Sequence, residues 1–333
     1  MKKLLCLLLT LLMLPAAAEA PLTADTLSSG EIHEVVEALF LAAAGTREDE
    51  EIALWKKLSE EERSARSAEN AAYRARTLPW LTAAFAAELP AWEDAAWSPA
   101  DGVAAFEGNP CGQAYLTLLR RYGASDAESC MALTRAVVQR WLAEIDHDKL
   151  LTINGDYRLW LYAPGTPIDY PVVQCRSNSY YLDRMFNRKK NPAGTLFIDM
   201  RNLPGFRDPN TIIYGHHMRD GSMFHSLTDY DAPGYFDAHP FMLAVGPEGI
   251  WLIEVFAGYV TSSRDHCYDI AISDEKDMLA FVEEAAGKSD FVSHVEIDCT
   301  ADRLVTLSTC AYNFDNARCI VIGRLNRVWI KTE

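Results

Sequence analysis

Residues 304–310 of the sequence place a potential nucleophile at the end of a strand pattern. They read Leu-Val-Thr-Leu-Ser-Thr-Cys, and alternation along a strand puts Ser308 and Cys310 on the same face. A thiol at a strand end lies at the rim of a sheet, where it can act as a nucleophile. A free cysteine is often simply a small packed residue, so the surrounding residues have to distinguish the two interpretations.

A thiol nucleophile needs a base, and His216 is the best placed of the eight histidines. It follows the β-rich residues 211–214 and Gly215, whose missing side chain allows close approach of backbone or ligand. In an extended segment the rings of His216 and His217 point to opposite sides, so only one of them can face the thiol. This divergence, without a further ligand cluster, argues against a metal site.

The third candidate is a cation. Acyl transfer through a thioester passes an oxyanion, which a fixed guanidinium can stabilise or help to position. Arg318 opens the strand that follows Cys310 after a short loop. Arg324 shares its face by parity but lies roughly 20 Å further along an extended strand, so Arg318 is the better candidate. By the same alternation, the adjacent Cys319 faces away and is expected in the core.

Short β-rich runs bounded by Gly, Pro and Asn must position these residues. The runs are residues 157–162, 170–173, 195–198, 211–214, 241–245, 251–260, 303–308 and 319–325. Eight runs with mostly short connections predict a closed or nearly closed β-barrel. One helix interrupts them, and we expect it to be capped by Ser273 and to end at Gly287. The fold is therefore predicted to be mainly β.

The first half of the chain is predicted to be helical. Apolar residues recur at helical spacing in segments rich in Ala, Leu, Glu and Arg. These segments are residues 32–44, 50–73, 81–87 and 125–145. Ser125 is the expected cap of the last of these helices. Residues 89–112 are expected to form a loop-rich break. The acidic residues 48–51 are expected to be solvated.

The N-terminus resembles an export segment. Lys2 and Lys3 precede an apolar run that ends in Pro15 and small residues, as in a secretory signal. The run is shorter than the roughly 18–20 residues that span a bilayer unaided. We therefore divide the chain into a signal peptide or membrane anchor (1–20), a helical N-terminal region (21–150) and a β-barrel catalytic domain (151–333). The protein is expected outside the cytoplasm, membrane-associated or secreted at the cell surface.

Composition excludes several classes of protein. The chain has 333 residues, of which 49% are hydrophobic and 23% charged, so it is neither collagen-like, coiled-coil nor wholly disordered. Its formal net charge is −16, and it has no stripe rich in Lys and Arg. Nucleic acid is therefore not an expected partner.

Taken together, the candidate segments resemble those of class B sortases. The histidine segment, the cysteine strand and the arginine segment all match, in consistent order, within roughly residues 150–328. The matching stretches are residues 214–216 with 218–224, 306–310 and 314–318, together with 164–174 and 179–182. The resemblance implies a sortase-like eight-stranded barrel, in which the helix near 274–286 is the one that class B members insert before the cysteine strand.

The same resemblance implies a cysteine transpeptidase on the outside of a Gram-positive cell. Such an enzyme cuts a sorting signal of secreted proteins after threonine and holds the acyl part as a thioester. It then passes the acyl part to an amine of a peptidoglycan precursor or of a pilin. Carried over by motif, Cys310 is the nucleophile, His216 the general acid/base, and Arg318 the oxyanion or substrate clamp. Neither a metal nor a cofactor is implied, and the N-terminal segment would contact the membrane if it stays uncleaved.

Four further residues match family positions that line the peptide groove. They are Asn178, Leu182, Tyr214 and Ser308. The chain departs from the family in its long helical prefix, which could dock on the barrel, occlude the groove or bind a partner. Residues 154–161 also depart from the usual pattern, although not at a catalytic position.

Two other functions stay open. One is a hydrolytic cysteine peptidase, although papain-like enzymes place Cys before His and here His216 precedes Cys310. The other is a surface-anchored, non-catalytic scaffold or adhesion protein, which predicts no covalent adduct at Cys310.

Overall fold

The structure, a computed structural model, describes residues 26–86 and 96–330. The predicted signal or anchor, residues 1–20, lies outside these residues. Within them, no helix has both the length and the apolar character needed to cross a membrane. Helices occupy the first half of the described chain. They are α1 (Ser29–Ala44), α2 (Glu48–Trp55), α3 (Glu60–Phe85), α4 (Pro99–Glu107), α5 (Pro110–Arg121), α6 (Ala127–Ala143) and α7 (His147–Ile153).

Two of the predicted helix starts are wrong, because a different residue caps the helix. Helix α6 begins after Asp126 rather than after Ser125, because the Asp126 carboxylate accepts a hydrogen bond from the Ser129 N–H. The predicted helices 50–73 and 81–87 are divided differently in the structure. The chain breaks between α2 and α3, and α3 then continues without interruption from Glu60 to Phe85. Ser59 forms a reciprocal capping box with Glu62 at the start of α3.

The expected loop-rich break at 89–112 is also wrong over its described part. Helices α4 and α5 occupy residues 99–107 and 110–121. Pro99 and Pro110 take the first helical position, where the missing N–H costs nothing and the fixed φ favours the helix. The Asn109 side chain caps α5 by accepting from the Cys111 N–H at 2.8 Å. These prolines therefore begin helices.

Eight strands close into a barrel, which confirms the predicted fold class. In chain order they are β1 (Tyr157–Tyr162), β2 (Asp169–Val173), β3 (Leu196–Ile198), β4 (Asn210–Tyr214), β5 (Phe241–Gly246), β6 (Gly249–Ser262), β7 (Arg303–Cys310) and β8 (Ala317–Ile330). Around the barrel the order is β1-β2-β3-β4-β7-β8-β6-β5. The pairs β2–β3 and β4–β7 are parallel and the others antiparallel.

Two α-helices of the described chain interrupt the barrel strands. Helix α8 (Tyr235–Ala238) precedes β5, and α9 (Glu275–Lys288) lies between β6 and β7. The cap predicted for α9 is wrong: Asp274, not Ser273, accepts a bond from the Asp277 N–H. Gly287 lies inside the helix rather than ending it.

The helices of the first half pack on the outside of β1, β5 and β6 and share one apolar core with them. Phe40 of α1 and Trp141 of α6 both contact the Tyr162 ring of β1, with ring centroids 6.1 and 5.1 Å apart. Glu51, expected in a solvated acidic run, is 2% exposed, because Arg66 binds its carboxylate at 2.7 Å. The helical region is thus built into the barrel surface.

Candidate active site

Strand register brings Cys310, Arg318 and the segment that carries His216 to one end of the barrel. Tyr214 of β4 pairs with Ser308 of β7, and the Gly215 N–H donates to the Ser308 carbonyl at 3.1 Å. Two residues further along these parallel segments come His216 and Cys310, so the two segments end side by side. On the other side of β7, Cys310 pairs directly with Arg318 of β8. Directly opposed residues of paired strands project to the same face.

His216 is held by its backbone and by its ring. Its carbonyl accepts a bond from the Phe224 N–H at 2.9 Å, and its Nε2 lies 2.6 Å from the Leu182 carbonyl oxygen. A carbonyl can only accept, so Nε2 carries the proton in this contact. That tautomer leaves Nδ1 as the ring nitrogen that can take up and release a second proton.

His217 has different partners, as expected for adjacent extended residues. Its Nδ1 lies 3.0 Å from the Cys310 carbonyl oxygen. Its ring contacts His225 and Tyr312, at centroid distances of 4.6 and 5.3 Å. His217 therefore binds the backbone of the cysteine strand end, which makes it a support for that residue.

All seven cysteines of the described chain are free thiols, and most are poorly suited to nucleophilic chemistry. Burial raises the pKa of the Cys111 thiol to about 11 and that of Cys319 to about 12. A raised pKa lowers the fraction of reactive thiolate. Cys319 is 4% exposed and donates to the Leu227 carbonyl, so it lies in the core as the alternation predicts. Cys310, by contrast, is half-buried at the barrel rim.

Arg318 and Arg324 differ in their partners. Arg324 binds the buried Glu254 carboxylate, and it pairs across the sheet with Leu304, at the far end of β7 from Cys310. The half-buried Arg318 donates to the Ala317 carbonyl at 2.9 Å. Within the described chain, no carboxylate forms an ion pair with it. Its guanidinium can therefore receive an oxyanion beside Cys310.

Two of the predicted groove residues, Ser308 and Tyr214, both contact Tyr268. Ser308 is buried, and its Oγ lies 2.8 Å from the hydroxyl of Tyr268. The Tyr214 ring stacks on Tyr268, with centroids 6.2 Å apart and planes 16° apart. The same ring also contacts Phe197, with centroids 5.2 Å apart. These aromatic side chains form a wall on the face that carries Cys310.

The other two predicted groove residues lie in the segment between β2 and β3. Leu182 belongs to a short 3-10 helix, Tyr180–Asp183, and its side chain is 42% exposed beside the carbonyl that holds His216. The Asn178 side-chain oxygen accepts from the Met200 N–H at 2.7 Å. The structure thus places Leu182 against His216, and Tyr214 and Ser308 two residues before His216 and Cys310 on their segments. Asn178 contacts the segment that follows β3.

Sequence reasoning missed three residues of this wall. Tyr268 lies in the connection between β6 and β7, where strand alternation makes no prediction. Asp199 and Arg201 directly follow β3; the Tyr214 hydroxyl donates to the Asp199 carboxylate at 2.9 Å, and Arg201 binds it at 2.9 Å. An Asp-x-Arg sequence directly after a short apolar run was the available signal.

Burial and hydrogen bonding fix the protonation states of Asp199, Tyr214 and Tyr268. Burial by itself would raise the pKa of Asp199, but the bonds from Arg201 and Tyr214 outweigh it and hold the pKa below its usual value. Burial raises the pKa of the Tyr214 and Tyr268 phenols, so both remain protonated. In the part of the chain that the structure describes, no group of three or more His, Cys, Asp or Glu side chains is arranged to hold a metal ion.

Comparison with known proteins identifies a matching domain family and several similar proteins. The sortase domain family matches residues 161–326. Sortase B of Listeria monocytogenes is 34% identical over 178 residues, which cover 53% of this chain and 72% of that protein. A Staphylococcus aureus sortase B–substrate complex is 30% identical with a TM-score of 0.53, covering 57% of this chain and 91% of the other. A sortase B complexed with triglycine is 31% identical with a TM-score of 0.53, covering 57% and 92%.

Proposed function

The chain belongs to the class B sortases, which are cysteine transpeptidases, and from this we propose that it cleaves the sorting signal of secreted proteins after a threonine. The acyl part then passes, through a thioester on Cys310, to an amine of a peptidoglycan precursor or of a pilin. The observation that supports this proposal is the convergence of Cys310, Arg318 and the His216 segment at one end of the barrel. Sortases are typically associated with the cell surface, and we propose that location for this protein.

In the acylation step, the Cys310 thiolate attacks the carbonyl carbon on the threonine side of the scissile bond. The Arg318 guanidinium, opposite Cys310 and without a carboxylate partner among the described residues, stabilises the oxyanion or clamps the substrate. The C–N bond then breaks, and His216 as imidazolium donates its proton to the departing amine. A thioester remains on the enzyme.

The second step reverses the direction of proton transfer. An incoming amine attacks the thioester carbon, His216 accepts its proton, and the Cys310 thiolate departs as the new amide forms. The Nε2 contact with the Leu182 carbonyl leaves Nδ1 for these transfers. The complex of a related sortase B with triglycine supports an amine as the second substrate.

We assign the peptide groove to the wall around this centre. Asn178, Leu182, Tyr214 and Ser308 line it, and the substrate complex of the Staphylococcus aureus relative supports a peptide partner. We also propose that residues 151–333 are the catalytic domain, that residues 21–150 are a helical region docked on it, and that residues 1–20 are a signal or anchor.

Intact-mass spectrometry tests the proposed function. Residues 21–333 are incubated with a panel of peptides that each contain one candidate threonine, with and without triglycine. Wild type is expected to gain an acyl mass that triglycine releases as a ligated peptide, whereas Cys310→Ala gains none and His216→Ala gains it far more slowly.

Cys175→Ala is the matched control, because Cys175 is another half-buried free thiol, and this variant should acylate like wild type. Release only as free acid, even with excess triglycine, would favour the hydrolytic peptidase. A complete absence of adducts on wild type would contradict the transpeptidase and favour the scaffold protein.

A further inference from the structure

Asp199 is a nearly inaccessible carboxylate in the wall of the groove. Its side chain is 1% exposed, and it lies directly after β3. Its Oδ1 accepts from the backbone N–H and the Nε of Arg201, at 2.9 and 3.0 Å. Its Oδ2 accepts from Arg201 Nη2 and from the Tyr214 hydroxyl, each at 2.9 Å. Every bond that it receives comes from a residue near the site.

A short series of contacts leads from this carboxylate to the cysteine strand. The Tyr214 ring, fixed at its hydroxyl by Asp199, stacks on Tyr268. The Tyr268 hydroxyl in turn lies 2.8 Å from the Oγ of Ser308. Ser308 belongs to the same strand as Cys310 and shares its face. Asp199 itself touches neither the thiol nor the open groove.

Arg201 provides a second link to the same wall. Its Nη2 donates to the Tyr268 carbonyl at 3.4 Å. Asp199 thus orients Tyr214 directly, and through Arg201 it orients the backbone of the 3-10 helix His266–Tyr268 between β6 and β7. Without the carboxylate, the Tyr214 phenol loses its acceptor, and the Arg201 guanidinium loses its two shorter bonds and retains the longer one to the Tyr268 carbonyl.

The connection between β6 and β7 has an independent attachment to the barrel. The buried Asn210 side chain donates to the carbonyls of Cys267 and Asp269, each at 3.0 Å. It also accepts from the Thr306 hydroxyl at 2.9 Å. This segment therefore stays on the barrel when Asp199 is altered, and what changes is the orientation of the two tyrosines.

We propose that Asp199 is a positioning residue for the peptide groove: through Tyr214, Arg201 and Tyr268 it fixes the wall against which the sorting-signal peptide binds. This inference rests on the proposed function. Asp199 is then distinct from the catalytic residues around Cys310. Its replacement should therefore weaken peptide binding more than it slows the chemical step. Loss of bonds to a charged acceptor predicts a rise in KM of about 10-fold, with kcat changing by less than about threefold.

The test compares Asp199→Asn, which keeps the shape but removes the charge, with wild type. The substrate is the best-cleaved member of a pool of fluorescence-quenched peptides that carry one fixed threonine, with triglycine as the amine. Alkylation by iodoacetamide, followed by mass mapping of the proteolytic fragment that contains Cys310, reports on this thiol without any peptide substrate. Tyr214→Phe, which loses only the phenol's bond to Asp199, should raise KM in the same direction by about threefold.

Glu254→Gln is the matched control. Glu254 is also a buried carboxylate bound by an arginine, Arg324, but it lies away from the cysteine end of β7. We expect it to lower Tm without raising KM, whereas Asp199→Asn raises KM at an unchanged alkylation rate.

Three results would overturn the inference. Unchanged KM in Asp199→Asn would remove the positioning role. An equal rise in KM in Glu254→Gln, in step with Tm, would reduce the effect to general destabilisation. A fall in kcat and alkylation with KM unchanged would place Asp199 in the chemistry instead. Absence of turnover by wild type with every peptide is distinct from these, because it would refute the proposed function and this inference with it.

Discussion

The ion pair between Arg74 and Asp237 tests whether the helical region and the barrel fold as one unit. Arg74 lies in α3 and Asp237 in α8, immediately before β5. Their side chains are 10% and 4% exposed, and Nη1 lies 3.0 Å from Oδ1. The guanidinium also lies over the Phe236 ring, 5.1 Å from its centroid. The pair therefore joins the two halves in a nearly dry environment.

Asp237→Ala is expected to cost about 3–5 kcal/mol in the free energy of unfolding, because it leaves the Arg74 guanidinium buried without its carboxylate. For a cooperative unit of this size, that corresponds to a fall in Tm of roughly 5–10 °C. Replacing both partners with apolar residues, Arg74→Met with Asp237→Leu, should recover most of the loss. Glu107→Ala, which breaks the exposed pair with Arg120, should change the free energy by less than about 1 kcal/mol.

The assay is urea unfolding of residues 21–333, followed both by circular dichroism at 222 nm, which reports on the helices, and by tryptophan fluorescence. If the two halves share one core, the curves coincide and both shift together in Asp237→Ala. A loss of less than about 1 kcal/mol would contradict the energetic reasoning. A first transition that melts the helices and leaves the barrel folded would refute the idea of a single unit.

Three further predictions concern the site and its pH dependence. Arg318→Lys should lower kcat by about 10- to 100-fold, because an ammonium cannot reproduce the planar guanidinium, whereas steady-state kinetics of Arg324→Lys should show an unchanged kcat. His216→Ala should lower kcat by about 10²–10⁴-fold as a lost general acid/base, and His217→Ala by much less; equal losses in the same kinetic assay would count against our assignment of the two rings. Asp265→Asn should cost stability at pH 7, since burial, which raises its pKa, is outweighed by bonds from Lys288 and others that lower it from 3.8 to about 2. A depressed folded-state pKa means that this stability is present above pH 3.8 and is lost as pH falls towards 2, so the Tm difference from wild type should vanish there.

The barrel was predictable because its strands carry local signals. Alternation and turn residues placed all eight strands to within a few residues at most ends, and parity along β8 assigned Cys319 to the core. Arg318 was assigned to the Cys310 end because a short loop joins the two strands, and the structure pairs these two residues directly. The parallel pairing of β4 with β7 was not predictable in this way, because it joins segments far apart in the chain. Only the resemblance to a family supplied that neighbourhood.

The wrong predictions concern helix caps for which two adjacent residues are suitable, and side chains whose burial depends on partners in other helices. Ser125 and Asp126 are both good caps, as are Ser273 and Asp274, and in each case the aspartate is used. Burial of Glu51 depends on Arg66 and Asn70 in another helix, which no acidic run can reveal. The bonds of the proposed groove wall likewise join residues of two connections, Asp199 after β3 and Tyr268 between β6 and β7, with Tyr214 of β4 and Ser308 of β7.

The helices of the long prefix pack on β1, β5 and β6, whereas the proposed groove lies at β4 and β7. The apolar outer surface of β1, β5 and β6 carries residues such as Phe241, Leu243 and Leu252, which pack against α1 and the neighbouring helices. The cysteine lies on β7, between β4 and β8, and the bonds described above for His216, Arg318 and the tyrosine wall come from barrel segments alone. Of the roles open to the prefix, docking on the barrel is therefore the one that these contacts support. Removing the helices would expose a large apolar surface to water, so activity has to be measured on the chain that retains them.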